Sequence, residues 1–576
     1  MDRITQSLLN EFVRLNSLDE LSPSDQFEHF TGYLTTSVHH TESFETSDIV
    51  VGGGGDSGFD TVSFIVNGQL VTEPEDVKEL LQLNGFLEVT IIFVQAETSS
   101  SFDSAKIGQF AFGVKDFLSE KPKLPRNSNI VGAGALLQTI FDNAVKFRKG
   151  KPACYLYYAT TGKWSADANL ETRRKAEQQD LEDLNLFRSV KFECIGADRL
   201  HRLYNDSKNS IAREVVFSEK TVLPEIPGVD QAYIGILSGP EFLKLIQNED
   251  GEIITSIFYD NVRDWQDWNA VNTEIKGTLA SAGSRVRFAL LNNGVTIVAR
   301  KVQPTGNRFH IEDYQVVNGC QTSYVLHECA AEIDSDVQVP VRLIATDDED
   351  LKNAIIKATN RQTPVAPEHL FALSDFPKQL ERYFPTFPGK QVLYYERRSR
   401  QYHSRTDIEK VRIINQTTLI RSFASMFAAK PHAATRSYRS LRDGLGTAIF
   451  AKDHKLEPYY TAAFAHYRME FFFRNGVLKP EWKPGRYQIL LALRLDVIPN
   501  ATVSLSANET GRLCHKLNEI LWDDAKAKAA FQKAARTVAA LAKEKLEGDE
   551  LRLESFTKEI VKHMVQQVPK KGGKRN

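Results

Sequence analysis

Cysteine, methionine and tryptophan are scarce in this 576-residue chain, at 5, 4 and 5, and neither sign of charge prevails. The cysteines Cys154, Cys194, Cys320, Cys329 and Cys514 are odd in number and scattered. They lack the close pairs that a zinc site or a redox couple needs, which argues against disulfides and thiolate metal sites. Lysine and arginine (72) nearly balance aspartate and glutamate (74), leaving a formal charge of -2. A globally basic nucleic-acid binder is excluded, so any polyanion site must be local. No apolar run approaches the length of a membrane span. Met1 to Asn16 lacks the basic start, apolar block and small-residue cleavage site of a secretory signal. The expectation is a cytoplasmic protein with no membrane partner.

What is present is ordinary for a soluble globular chain: 42% hydrophobic and 25% charged residues. The length suggests about three to four cores. Ser22-Pro23-Ser24-Asp25 opens a helix with a hydroxyl cap, proline at the first helical position and a carboxylate at the third. Phe27, Phe30 and Leu34 give that helix a buried stripe. After the glycine run Gly52 to Gly55, Asp60 to Val66 reads as a strand that Asn67-Gly68 turns into Gln69 to Val71. Leu87 to Glu97 reads as a central strand, and Ile107, Phe110, Ala111, Val114 and Phe117 recur at helical spacing just beyond it. Ser119 to Gly132 reads as a loop. From Val190 to about Asp375 short strands alternate with helical stretches, at Val190 to Cys194, Ala232 to Leu237, Val295 to Val298 and Val339 to Ile344. Beyond Phe376 strand signals fade, and helices are expected at Lys410 to Ala428, Tyr459 to Phe473, Tyr487 to Leu495 and Asp523 to Leu546. The fold class is therefore multidomain α/β (α+β), with an α/β domain over 1–165, a mixed α/β domain over 166–380 and a mainly helical region over 381–576.

Phosphodiester cleavage needs a divalent cation at the scissile phosphate, held by hard oxygen ligands from adjacent strands. Asp60 stands where the glycine-rich turn becomes a strand. Gln95 and Glu97, two apart, project from one face of the next strand. Glu28, beside the buried stripe of the first helix, reaches the same place if that helix packs on the sheet. Together they form a candidate cradle for Mg²⁺ or Mn²⁺, with Asp60, Gln95 and Glu97 as ligands. The plainer reading is a structural domain in which Asp56 satisfies turn amides and Gln95 is a partly buried strand residue.

Gly55-Asp56-Ser57-Gly58-Phe59-Asp60 and Gln95-Ala96-Glu97 resemble the Mrr-like branch of the PD-(D/E)XK nucleases, in which a GxDxGxD turn precedes a strand carrying Q-x-K or E-x-K. The resemblance implies a restriction-endonuclease-like fold, a metal-binding role for Asp60 and Gln95, and a supporting role for the helical Glu28. Glu97 departs from it, because the family expects a lysine whose ammonium activates water and stabilises developing negative charge. Either the lysine role has moved, with Lys106 the nearest candidate, or Glu97 is an extra ligand, or the site is inactive.

A second constellation lies in the middle. Asn292-Asn293-Gly294 joins two apolar strand-like stretches, Asn318-Gly319 precedes Gln321-Thr322 at a helix start, and Thr359-Asn360-Arg361-Gln362 ends a further helix. Glycines and amides permit tight turns with exposed N–H groups near a helix's positive end, a reasonable nucleotide or nucleic-acid pocket. The commoner use of such residues is to satisfy loop backbone. These segments, with Ser101-Phe-Asp103, Asp260 to Arg263, Asn272, Glu274-Ile275 and Tyr394-Tyr-Glu-Arg-Arg398, are similar to the AIPR family, the abortive infection phage resistance proteins of bacteria, over most of residues 50 to 400. They are more weakly similar to ParB and DGQHR folds, whose arginine or histidine beside the turn is replaced here by Gln321-Thr322. The His327-Glu328 pair lacks a second histidine four residues on, so it does not read as a zinc-protease motif. Arg397 and Arg398, among tyrosines, could grip phosphates, or could be neutralised by residues such as Glu396 in an interface.

The resemblance thus implies an antiphage enzyme, a metal-dependent nuclease acting on nucleic acid, DNA rather than RNA. The alternative it leaves is an impaired nuclease-fold protein that binds nucleic acid or nucleotide and works through a partner. A homo-oligomer or a defence-system partner protein is a further expectation.

Overall fold

Asn67 and Gly68 both take positive φ, at 51° and 80°, and this fixes the first hairpin. The computed structural model describes residues 1–40, 43–53, 57–148, 150–165, 167–208, 212–247, 251, 253–258, 270–359, 375–397, 401–402, 405, 407–435, 438–446, 449–500, 503–543, 546 and 548–566. The motif residues Gly54, Gly55 and Asp56, Asp260 to Arg263, Asn360 to Gln362, and Arg398 lie outside them. The chain divides into two units, one made of residues 1–207 with 375–576, the other of 208–374.

The first unit contains a five-stranded sheet of β1 (Thr61–Val66), β2 (Gln69–Val71), β3 (Val89–Glu97), β4 (Ala153–Thr160) and β5 (Ser189–Ile195), in the order β2-β1-β3-β4-β5. The β1–β2 and β1–β3 pairs are antiparallel, and the β3–β4 and β4–β5 pairs are parallel. β5 lies beyond the boundary read near residue 165, so the first sheet continues past it. Helices α1 (Arg3–Asn16), α2 (Pro23–Ser37), α3 (Pro74–Asn84), α4 (Ser104–Phe117), α5 (Ser128–Asp142), α6 (Ala168–Asp183) and α7 (Ala197–Lys208) complete this part. Ser22 caps α2 by accepting the Asp25 amide at 3.3 Å.

Strand alternation sorts the core into two faces. Ile91 and Phe93 pack with Ile107, Phe110, Ala111 and Val114 of α4. Ile92, Val94 and Ala96 pack on the opposite face with Phe27, Phe30 and Leu34 of α2. One expectation is corrected here: the stretch read as a loop to Gly132 turns helical at Ser128, because Asn127 accepts the Ile130 amide at 2.9 Å and nucleates α5.

Helices Gln416–Met426, Glu457–Arg474, Arg486–Val497, Asn508–Leu521, Asp524–Leu541 and Glu554–Gln566 form the C-terminal part of this unit. Polar ties join them to the sheet domain. Arg474 pairs with Glu45, Lys483 with Asp48 at 2.8 Å, and Arg552 with Glu75 at 3.0 Å. Two short strands, Tyr394–Glu396 and Ile413–Asn415, pair in parallel within a region read as mainly helical.

The second unit is a six-stranded sheet of β6 (Ala212–Val216), β7 (Glu219–Val222), β8 (Gln231–Ser238), β9 (Val295–Thr305), β10 (Arg308–Asn318) and β11 (Gln338–Ala345), in the order β6-β10-β9-β11-β8-β7. Only β9 and β11 pair in parallel. α8 (Gly239–Ile246), α9 (Ala270–Ala280), α10 (Ala282–Arg285), α11 (Phe288–Leu291), α12 (Cys320–Glu328) and α13 (Glu349–Thr359) accompany it. Multidomain α+β architecture holds for the whole chain. All five cysteines are buried and none is joined in a disulfide, and no helix among the described residues is long and apolar enough to cross a membrane.

Candidate active site

The β1–β3 register pairs Thr61 with Val94, which sets Asp60 opposite Gln95. Both then point to the face of the sheet that α4 covers, and Glu97, two residues on, shares it. Asp60 is buried at 5% exposure, and its Oδ2 accepts hydrogen bonds from the Gln95 side chain at 2.9 Å and the Ala96 amide at 2.7 Å. Its backbone is held as firmly, with its amide donating to Val94 at 2.9 Å and its carbonyl accepting from Val51 and Gly52 at 2.8 and 3.1 Å. Because Gln95 donates through Nε2, its Oε1 is the atom left to accept or ligate.

The turn before Asp60 is locked by close backbone approach. Gly58, at φ 83°, lies against α4, and a Cβ added to Gly113 would stand 1.9 Å from the Ser57 carbonyl oxygen. Only glycine permits that contact. At Gly52 a Cβ would fall 2.5 Å from Glu28 Oε2 and 3.8 Å from Asp60 Cα, so the Glu28 carboxylate rests in the space glycine leaves beside the Asp60 backbone. Although α2 packs on the far face of the sheet, its Glu28 thus reaches the Asp60 end of β1.

Glu97 is half-buried, and its Oε1 lies 3.1 Å from the Nζ of Lys106 in the first turn of α4. That turn is fixed by Asp103, whose Oδ1 accepts the Ala105 amide at 2.7 Å. The lysine absent from the strand therefore has an ammonium in its neighbourhood, delivered from the next helix.

Sequence reasoning missed Tyr158. The parallel β3–β4 register sets it beside Gln95, buried at 1% exposure, with Phe102 edge-on at 5.8 Å. Burial first, then the Glu97 and Asp103 carboxylates, push its phenol above the ordinary range, so it stays protonated and able to donate. Only strand pairing reveals this neighbour, because nothing local to Tyr155 to Tyr158 distinguishes one tyrosine from another.

The donor set is made of hard oxygens. Among the described residues no three His, Cys, Asp or Glu side chains converge as a closed metal cluster. Asp60, the Gln95 amide oxygen and Glu97 are oxygen donors of the kind Mg²⁺ or Mn²⁺ takes alongside retained waters.

In the second unit the two Asn-Gly segments come together. Gly319, at φ 94°, lies so close to β9 that a Cβ there would be 2.8 Å from a Val295 methyl, and Gly294 precedes that strand. The amides bond to protein groups. Asn292 donates to the Phe288 carbonyl at 3.1 Å, Asn318 to the Thr359 carbonyl at 2.8 Å, and Asn272 to Gln321 at 2.8 Å. Asn293 is exposed and Thr322 buried. His327 Nδ1 meets Gln247 at 3.0 Å. Arg397 is buried, and its Nε is 2.8 Å from Glu381 Oε2, so it faces a carboxylate rather than solvent.

A family model described as AIPR protein matches residues 258–547, half of the chain. The chain belongs to the AIPR family. These are the abortive infection phage resistance proteins. The AIPR match is placed differently from the resemblance read over residues 50 to 400: it takes in most of the C-terminal helices and leaves out the sheet bearing Asp60, Gln95 and Glu97. No curated protein and no solved structure matches the chain.

Proposed function

We propose that this AIPR protein is a metal-dependent nuclease of phage defence, cutting phosphodiester bonds of nucleic acid, DNA in preference to RNA. The observation that carries the reading is the Asp60–Gln95 pair, with Glu97 and Lys106 in salt-bridge contact beside it. Asp60, Gln95 and Glu97 would hold the cation, with the Glu28 carboxylate supporting Asp60. When bound, Mg²⁺ or Mn²⁺ supplies Lewis-acid stabilisation of the phosphodiester oxygens. The Ala96 amide and Gln95 fix the orientation of Asp60, so no reorganisation is needed there during reaction. Lys106 presents a positive charge to the developing oxyanion, and the Tyr158 phenol can donate a hydrogen bond within the same neighbourhood.

The second reading, a nuclease fold that binds nucleic acid or nucleotide and acts through a partner, is favoured by one observation. Glu97 occupies the position of the expected lysine and engages the nearest replacement for it. Cleavage of duplex DNA, single-stranded DNA and RNA with Mg²⁺ or Mn²⁺ separates the two, comparing the natural chain with Asp60→Ala and Glu97→Lys. Cutting by the natural chain that Asp60→Ala abolishes supports the nuclease. Cutting by Glu97→Lys alone identifies a site switched off at one position, and no cutting by any of them hands the lead to the binding reading.

A further inference from the structure

Glu97 pairs with one positive charge and lies on the sheet face proposed to hold another. Its Oε1 is 3.1 Å from Lys106 Nζ, yet its side chain shares a sheet face with Gln95 and Asp60, where the proposed cation sits. The three residues differ in freedom. Asp60 is pinned by the Ala96 amide and by Gln95. The Glu97 and Lys106 side chains are 27% and 49% exposed, so their attraction is solvated and shifts an equilibrium by at most about fivefold. A lysine on a four-carbon stem gives up such a partner readily. At equal distance and screening a divalent cation attracts the carboxylate twice as strongly as the single ammonium charge does.

We infer that Glu97 is an exchangeable carboxylate, tied to Lys106 until a divalent cation binds at Asp60 and Gln95, and then drawn onto that cation so that the Lys106 ammonium is released toward the phosphate. The inference rests on the reading of Asp60, Gln95 and Glu97 as the cation site. It accounts for a carboxylate at the position where a lysine is expected: cation binding and release of the ammonium become one event. In cation-free protein Lys106 is engaged; in the loaded site it is free.

The exchange makes Lys106 a competitor of the cation, acting through Glu97. Mn²⁺ is titrated into the full chain and free Mn²⁺ is counted by electron paramagnetic resonance, for the natural protein, Lys106→Met, Lys106→Arg, Glu97→Gln, the Glu97→Gln/Lys106→Met double variant and Asp60→Asn. Lys106→Met is expected to tighten Mn²⁺ binding about three- to fivefold, the gain of releasing an exposed ion pair. Lys106→Arg should bind as the natural chain does, and Glu97→Gln should weaken binding. In the Glu97→Gln background Lys106→Met should change the affinity less than about twofold, since a coupled pair departs from additivity. Equal tightening in both backgrounds overturns the exchange, because Lys106 would then act through its field alone. So does no tightening at all. Asp60→Asn separates the two levels of the argument. If it abolishes binding while the two Lys106→Met effects are equal, only the exchange fails. If it binds like the natural chain, or the natural chain binds no Mn²⁺, the site itself is misassigned and the exchange falls with it. Melting midpoints of all variants exclude unfolding as the cause.

Discussion

Gly113→Ala measures how tightly the turn before Asp60 is held. The new methyl would stand 1.9 Å from the Ser57 carbonyl oxygen, 3.0 Å from the Ser57 carbonyl carbon and 3.3 Å from Gly58 Cα. All three are backbone, so no side chain can swing aside. Restoring van der Waals contact requires a relative shift of roughly 1 Å or more between α4 and the turn. Overpacking of this kind costs about 1–3 kcal/mol, while replacing a helical glycine by alanine returns up to about 1 kcal/mol. The net expectation is a loss of about 1–2 kcal/mol. Gly108→Ala on the same helix is the internal control. There the three atoms nearest a new Cβ belong to the guanidinium of Arg173, the far end of a side chain that is 48% exposed, so the change should cost no more than the Arg173–Glu177 pair it disturbs, about 0–1 kcal/mol, and be near neutral. Urea denaturation at fixed pH reads the difference between the variants, and Mn²⁺ affinity reads whether displacing the turn disturbs Asp60 three residues on. If Gly113→Ala is as stable as Gly108→Ala, the turn is not locked against α4 and the positioning argument for Asp60 fails.

Other outcomes follow from groups already placed. Burial, with Arg474 and Lys483 nearby, lowers the pKa of His29 to about 3. Its neutral ring meets Thr46 Oγ1 at 2.7 Å. The unfolded chain takes up that proton near pH 6.5 and the folded chain does not, so the His29 contribution is intact above pH 6.5 and lost as pH falls toward 3, at about 1.4 kcal/mol per pH unit. Denaturant midpoints between pH 7 and 5 should fall less steeply for His29→Gln than for the natural chain, and parallel curves would refute the assignment. Arg474→Met leaves the Glu45 carboxylate without the guanidinium that pairs with it, an expected loss of about 3–5 kcal/mol by chemical denaturation. A loss under 1 kcal/mol would mean the pair is solvated. Asn318→Ala removes the bond to the Thr359 carbonyl and should cost about 1 kcal/mol; an unchanged denaturation midpoint would rule out an anchoring role.

Much of the candidate site was legible because its signals are local. The Asn67-Gly68 turn fixes the β1–β2 register, and period-two spacing puts Gln95 and Glu97 on one face. Lys106 could be named as the nearest cation, but its contact with Glu97 depends on how α4 docks. Tyr158 and Gly113 were invisible, because each matters through a residue far away in the chain: Gln95 on the neighbouring strand, and Ser57 across a helix packing contact. Arg397 stayed open between two readings for the same reason. An arginine among tyrosines can grip a phosphate or be neutralised by a carboxylate, and only the fold sets Glu381 against it. The segment Ser119 to Gly132 was read as loop throughout because Pro122 and Pro125 outweighed the Asn127 cap that starts α5. The short strands Tyr394–Glu396 and Ile413–Asn415 carry too few residues for a period to show.

The first unit is built from the two ends of the chain, with residues 208–374 as a separate body between them. This has a consequence in time during synthesis. At about 5–20 residues per second the ribosome spends on the order of 10–30 s making the intervening body. Throughout that interval the sheet carrying Asp60 and Gln95 is already complete, but Glu45 and Asp48 still lack Arg474 and Lys483. Glu45 and Arg474 are 429 residues apart, and the loop between them closes only when nearly five-sixths of the polypeptide exists. The nascent protein therefore passes through a period in which its candidate catalytic sheet is made and its helical partner is not, and the two are joined among the last events of translation.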